Sequence, residues 1–140
     1  DPFVVNATRD TLNHILTEFA TIVFMNADEA KALLDCGPQE AAERLSEDVD
    51  HVVVKNGSKG SFVHHGGRQH EIGIHPVDAI DTTGAGDAYA AGYLYGLLQG
   101  WTPDRCGDLG ARIASLTVGQ IGAVCRDPEL LRAAVAAASA

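Results

Sequence analysis

The stretch "DTTGAGD", residues 81–87, holds two glycines, two threonines and two aspartates, and runs directly into the small and apolar "AYAAGYLYGLLQG". At the entrance of a helix such a stretch has two readings. It is an ordinary turn with a capping acid, or it is a phosphate cradle with a built-in base. In the second reading Gly84 and Gly86 let the backbone approach a ligand closely. The amides of Gly84, Ala85, Gly86 and Asp87 would lack intrahelical acceptors and would join the helix dipole in an anion site. Such a site suits the charge on a transferring phosphoryl group. Asp87 would then stand within reach of an attacking hydroxyl, whose proton a carboxylate accepts. Spacing alone favours the capped turn. The pattern is not a Walker motif, because no Gly-Lys-Ser/Thr follows.

Working outward, apolar runs alternate with helical periodicity. "FVVN" (3–6) reads as a short strand. Leu12, Ile15, Leu16 and Phe19 then fall at helical spacing behind Thr8 as N-cap. "TIVFM" (21–25) suits a strand buried on both faces. A helix capped by Asn26 follows, with acids in its first turn and Gly37-Pro38 as its stop. "QEAAERLSED" (39–48) gives a further short helix. "HVVV" (51–54) reads as a strand, and "SFVHH" and "RQHEIGI" around Gly66-Gly67 as a hairpin. Past the motif, Ala88, Ala91, Gly92 and Tyr95 share one helical face fit for very close packing. Two helices complete the chain, one opening at Thr102-Pro103 and ending near Gly119 to Gly122, the other capped by Asp127 with Pro128 at its first position. The expected fold class is α/β, one domain with a mostly parallel sheet, helices on both faces, and a hairpin. The sheet would be thin, with an exposed edge that favours homodimerisation, and the chain reads as part of a larger fold.

Composition narrows the function. The chain has 140 residues, 46% of them hydrophobic, enough to bury a core. Its formal net charge of -9, from ten basic and nineteen acidic side chains, argues against sequence-independent nucleic-acid binding, which needs clustered Lys and Arg. No apolar run approaches a membrane span, no basic amphipathic helix suits an anionic membrane, and the start lacks the pattern of a signal peptide. Cys36, Cys106 and Cys125 are widely spaced and odd in number, which suggests neither a disulfide framework nor a zinc site. The expected compartment is the cytoplasm.

"DTTGAGDAYAAGYLYGL" resembles the signature of the ribokinase-like (PfkB-type) family of carbohydrate and nucleoside kinases, D-T-x-G-A-G-D followed by small and aromatic residues. "NADE" (26–29) resembles that family's N-x-x-E motif, "VVVKNGSKGSFV" (52–63) its strand-then-G-x-x-G nucleotide segment, and "TVGQIGA" (117–123) the Gly-Ala segment near its nucleotide and cation sites. The opening "DPF", the Cys106–Gly110 stretch and the flanks of the main motif look closest to adenosine-kinase-like members. The resemblance implies the C-terminal, nucleotide-binding and catalytic part of one ribokinase-like domain over 1–140, without the N-terminal acceptor-binding part and lid. It implies transfer of the ATP γ-phosphoryl group to a hydroxyl of adenosine or a sugar, and a fragment that is inactive alone. The alternative is a non-catalytic nucleotide-binding or protein-interaction scaffold.

Roles carry over position by position. The resemblance makes Asp87 the general base, and Gly84, Ala85 and Gly86, with the Asp87 amide, the anion hole. Lys55, Gly57, Gly60, Thr82 and Ala111 fall on the nucleotide side. Asn26 and Glu29 would order Mg²⁺ and phosphate, partly through water, in keeping with the few carboxylates that Mg²⁺ takes. Asp81, Thr83 and the carbonyls near Gly122 lie where some members hold a monovalent cation such as K⁺. Two positions depart from the pattern: many members have Thr in place of Lys55, and Asn or His near Ala111, beside the adenine.

Other candidates carry less. His64, His65, His70 and His75 are assigned to the hairpin, at a spacing that matches no zinc pattern. Glu43, Glu47, Asp48 and Asp50 read as a solvated face, Trp101 as a packing anchor, and Tyr89, Tyr93 and Tyr95 as core.

Overall fold

All residues, 1–140, are described in the computed structural model, and the chain separates into two units, Asp1–Glu71 and Ile72–Ala140.

The first unit opens with helices. Residues 3–6 are not a strand but lie in α1 (Pro2–Ala7). The Asp1 carboxylate accepts the Phe3 N–H at 2.7 Å, and Pro2 stands at the first helical position. This cap-plus-proline start overrides the strand preference of Phe-Val-Val. Helix α2 (Arg9–Glu18) follows Thr8. Thr8 stands at the N-cap position, but its hydroxyl donates back to the Val4 carbonyl at 2.8 Å and caps nothing. Of the predicted apolar face, Leu16 is buried and Leu12 packs against the core, while Ile15 and Phe19 are exposed.

Strand β1 (Ile22–Asn26) leads into α3 (Ala27–Leu34), then α4 (Pro38–Leu45) and β2 (His51–Lys55). Helix α3 ends on Asp35 in the left-handed region, φ 56°. Gly37-Pro38 is therefore not its stop but the start of α4, as N-cap and first residue. β1 and β2 pair in parallel, Ile22 opposite His51 through Asn26 opposite Lys55. A 3₁₀ turn (Gly57–Lys59) returns the chain into β3 (Ser61–His65), antiparallel to β2. The expected hairpin closes with β4 (Arg68–Ile72) across Gly66-Gly67, whose φ angles of 59° and 73° only glycine adopts readily.

The α/β class holds, in a four-stranded sheet of order β1-β2-β3-β4. Its parallel portion is the single β1–β2 pair, narrower than three strands would give, because residues 3–6 are helical. The strand buried on both faces is β2, with Val52, Val53 and Val54 fully inaccessible. β1 stands at the end of the strand order, and its Val23 and Phe24 stay half-buried. Helices α3 and α4 pack on the sheet through Ala30, Leu33, Ala41 and Leu45.

The second unit is built on α5 (Ala85–Leu98), α6 (Pro103–Val118) and α7 (Pro128–Ser139). The buried face of α5 is Tyr89, Gly92, Tyr93 and Gly96. Of the face read from sequence only Gly92 belongs to it, and Ala91 and Tyr95 are exposed. The close packing itself is real. A Cβ on Gly92 would stand 2.9 Å from the Gly110 Cα and from the Leu109 carbonyl, so α5 and α6 touch backbone to backbone. On the far side of α6, Leu109, Ala134 and Ala138 form a core with α7, and Trp101 packs against it as expected. Asp127 caps α7 through its carboxylate. No helix is long and apolar enough to cross a membrane.

Candidate active site

In the second unit the motif is a helix entrance that requires glycine. Gly84 is the N-cap of α5, at φ 76°, with no side chain capping the helix. Its conformation and its surroundings both demand glycine: a Cβ there would lie 2.5 Å from the Ala123 carbonyl oxygen and 2.6 Å from the Ala123 Cβ. The first helical bond runs from the Ala88 N–H to the Gly84 carbonyl at 2.8 Å. Of the four amides assigned to the anion hole, that of Ala85 turns back to the Thr82 carbonyl at 3.3 Å. The amides of Gly86 and Asp87, at the second and third positions of the helix, precede the first donor on the ladder, the Ala88 N–H, and carry the positive end of the helix. Asp87 is exposed in this first turn.

Asp81 ties the entrance together. One carboxylate oxygen accepts the Thr83 N–H at 2.9 Å, and the other accepts the Gly122 N–H at 3.0 Å. Thr83, through its side chain and its N–H, and then the Gly122 N–H hold the Asp81 carboxyl below the ordinary aspartate value. The structure therefore brings Asp81, Thr83, Gly84 and Gly122 together, with Ala123 of the Gly-Ala segment packed against Gly84, a contact the sequence reading did not give. Thr82 is exposed beside them, and Ala111 lies half-buried on α6, one residue past Gly110.

In the first unit the candidate residues gather where the parallel strands end. Asn26 and Lys55 are register partners at the last positions of β1 and β2. Ligands of open α/β sheets collect at the carboxyl ends of strands. Asn26 caps α3 in a reciprocal box: its side chain accepts the Glu29 N–H at 2.8 Å, and Glu29 Oε2 accepts the Asn26 N–H at 2.9 Å. Burial works to raise the Glu29 pKa, while the Asn26 N–H and the Lys55 charge favour the ionised carboxylate. An ionised, partly exposed carboxylate is the hard oxygen donor that Mg²⁺ takes, directly or through water. Asn26 fits less well as a ligand, because its oxygen is spent on the cap. Gly57 and Gly60, at φ 57° and 90°, bound the tight turn after β2.

The histidines divide. His51 and His65 stack at 3.8 Å across β2 and β3, and His64 reaches the Ser46 hydroxyl at 3.4 Å. His75 is not on the hairpin: it follows β4, and its Nε2 meets the Asp108 carboxylate at 2.8 Å.

Residues 1–130 match the family described as pfkB family carbohydrate kinase. An uncharacterised sugar kinase of Archaeoglobus fulgidus is 41% identical over 106 residues, covering 74% of this chain and 42% of that protein. The crystal structure of adenosine kinase from Sinorhizobium meliloti superposes with a TM-score of 0.89 at 34% identity, over 98% of this chain and 42% of that one. Arabidopsis thaliana ribokinase, solved with ribose and ATP, gives a TM-score of 0.76 at 28% identity, over 88% of this chain and 43% of that one. The chain thus spans under half the length of these relatives. With the motif at 81–87 and the strand-end cluster at Asn26, Glu29 and Lys55 already in place, the match over 1–130 assigns the chain to the pfkB family of carbohydrate kinases.

Proposed function

We propose that these 140 residues are the C-terminal, nucleotide-binding and phosphoryl-transfer part of an ATP-dependent kinase acting on a hydroxyl of a nucleoside or sugar, with adenosine the first choice. The observation that carries this reading is the uncapped start of α5. Gly84 is pressed on Ala123, the Gly86 and Asp87 amides lead the helix, and the Asp87 carboxylate is exposed in the same turn. Relatives named as sugar kinase, adenosine kinase and ribokinase support the acceptor class.

The residues then take these parts. The amides of Gly86 and Asp87 bind the charge that develops on the γ-phosphoryl oxygens. Asp87 accepts the proton of the acceptor hydroxyl as its oxygen bonds to phosphorus and the bridging β–γ oxygen leaves with ADP. Glu29 would hold Mg²⁺, directly or through water, with Asn26 fixing the Glu29 rotamer, and the metal would supply positive charge to offset that of the phosphates. Lys55, with Gly57 and Gly60, lies along the nucleotide, as do Thr82 and Ala111. A monovalent cation such as K⁺ belongs beside Asp81, Thr83 and Gly122. The resemblance puts the acceptor pocket and lid in the remaining length of a family-sized domain, and without them the acceptor would be neither positioned nor shielded from water, so we expect no turnover from the 140 residues alone. We place the protein in the cytoplasm.

Titration of the chain with ATP tests this. Magnesium-dependent binding that is lost in Gly84→Val supports it. Absence of ATP binding together with a stable homodimer would replace it with the scaffold reading.

A further inference from the structure

We propose that His75 is a positioning residue for the motif: it anchors a strap, residues 73–84, that lies along α6 and delivers "DTTGAGD" to the start of α5. This rests on reading that motif as the phosphate cradle. The strap has no helix or strand of its own, so its course is set by side-chain and backbone ties.

Those ties form a ladder. His75 donates from Nε2 to the Asp108 carboxylate at 2.8 Å, and the Ser115 hydroxyl donates to the His75 carbonyl at 2.7 Å. Val77 fills the space over Gly119, where a Cβ would stand 2.9 Å from the Val77 Cγ2. The Ile80 and Asp81 amides both donate to the Val118 carbonyl, at 2.8 and 3.2 Å. The Asp81 carboxylate then ties Thr83 to Gly122. His75 is the first rung, held through both its side chain and its carbonyl.

An isolated surface ion pair contributes little, but this contact is a network. Arg112, one turn along α6, donates from Nε to the second Asp108 oxygen at 2.7 Å and fixes the carboxylate that His75 meets. The three side chains are only 31%, 36% and 29% exposed. Burial works to raise the Asp108 pKa, yet the bonds from Arg112 and His75 leave it below the ordinary aspartate value. Irregular segments open readily unless such ties hold them. Cutting the first rung frees the strap up to the cradle.

Backbone hydrogen exchange of the 140-residue chain tests this in the wild type, His75→Leu and His75→Gln, whose amide can replace the Nε2 donor. In His75→Leu, exchange over residues 77–87 should rise about tenfold, the scale of one lost charge-assisted bond. Exchange over 109–117 in α6 should stay unchanged, His75→Gln should remain near wild type, and Mg·ATP affinity should fall with the strap in His75→Leu alone. Unchanged exchange over 77–87 overturns the proposal. So does a rise spread equally over α5 and α6, which would mark general destabilisation. If His75→Leu does not fold, Ser115→Ala cuts the other tie and must give the same local rise. If the wild-type chain does not bind Mg·ATP, the cradle reading fails, while the exchange comparison still decides whether His75 orders the motif.

Discussion

Two helices, one in each unit, carry candidate residues at their starts, and they begin in opposite ways. Helix α3 is closed on itself: Asn26 and Glu29 satisfy each other's backbone amides, and the partly exposed Glu29 carboxylate is part of the finished cap. Helix α5 is left open: its N-cap is a left-handed glycine with no side chain to offer. A closed start presents a carboxylate and suits a cation. An open start presents N–H groups and suits an anion. On the proposed reading phosphoryl transfer needs both, and the contrast would divide the work: metal ordering to the first unit, and charge stabilisation and proton removal to the second.

The sharpest way to break that division is at Asp87. In a family-length polypeptide carrying this sequence, Asp87→Asn keeps the open helix start but removes the base. Turnover should fall by about 10²–10⁴-fold, the usual worth of a general base, while ATP affinity changes little. Steady-state kinetics beside calorimetric titration separates the two, and normal turnover in the variant would remove Asp87 from the role.

Next in size is Gly84→Ala, which attacks the open start itself. The left-handed backbone costs a residue with a Cβ about 1–2 kcal/mol, and the new Cβ would meet Ala123 backbone atoms at 2.5–2.8 Å. Denaturant unfolding should show a loss of roughly 2–5 kcal/mol, summing the backbone and overpacking costs. Mg·ATP binding should weaken at least about tenfold, since the displaced donors lose their aim. Unchanged stability would mean that Ala123 gives way and that the entrance is not tightly held.

Closing the comparison from the other side, Asn26→Ala should cost about 1 kcal/mol, a typical side-chain cap. Its effect on nucleotide binding should appear only in the magnesium dependence, because the Glu29 carboxylate loses its support and no amide of α5 is touched. A loss of ATP affinity independent of magnesium would show that Asn26 contacts the nucleotide directly.

The same contrast explains what could be read from sequence. The Asn26 box and the Gly84 turn are local signals, carried by residues within four positions of each other, and both were legible. The α1 start is equally local, yet Phe-Val-Val outweighed Asp1-Pro2 in a strand reading, although the cap and proline decide the backbone there. Ala123 behind Gly84 and Asp108 beside His75 are contacts between residues more than thirty positions apart. No periodicity announces such pairs. The buried face of α5 was legible in part: Tyr89 and Tyr93, read as core, are buried, while Tyr95, read as core too, is exposed, and Gly107 and Gly110 on α6 leave room for Tyr89.

The smallest effect expected is a pH dependence confined to the unit that carries the closed start. Burial, then the neighbouring His65, pushes the His51 pKa below its ordinary value against the pull of Asp50. Burial also lowers that of His64, with His70 and His65 adding to it and Glu43 opposing. His64 Nδ1 is buried without a hydrogen-bond partner. Groups of this kind take up protons more readily in the unfolded chain. Their contribution is therefore complete above the unfolded value of about 6.5 and is lost as pH falls through the lower folded values. Urea unfolding at about pH 7.5 and about pH 5.5 should show a lower midpoint in acid. His64→Val, which can be neither charged nor unsatisfied, should flatten that difference. Hydrogen exchange should locate the acid loosening in β2 and β3 and leave α5 and α6 as they were. Acid loosening that appeared first at the α5 start would trace the titration to the second unit and break the division between the two helix entrances.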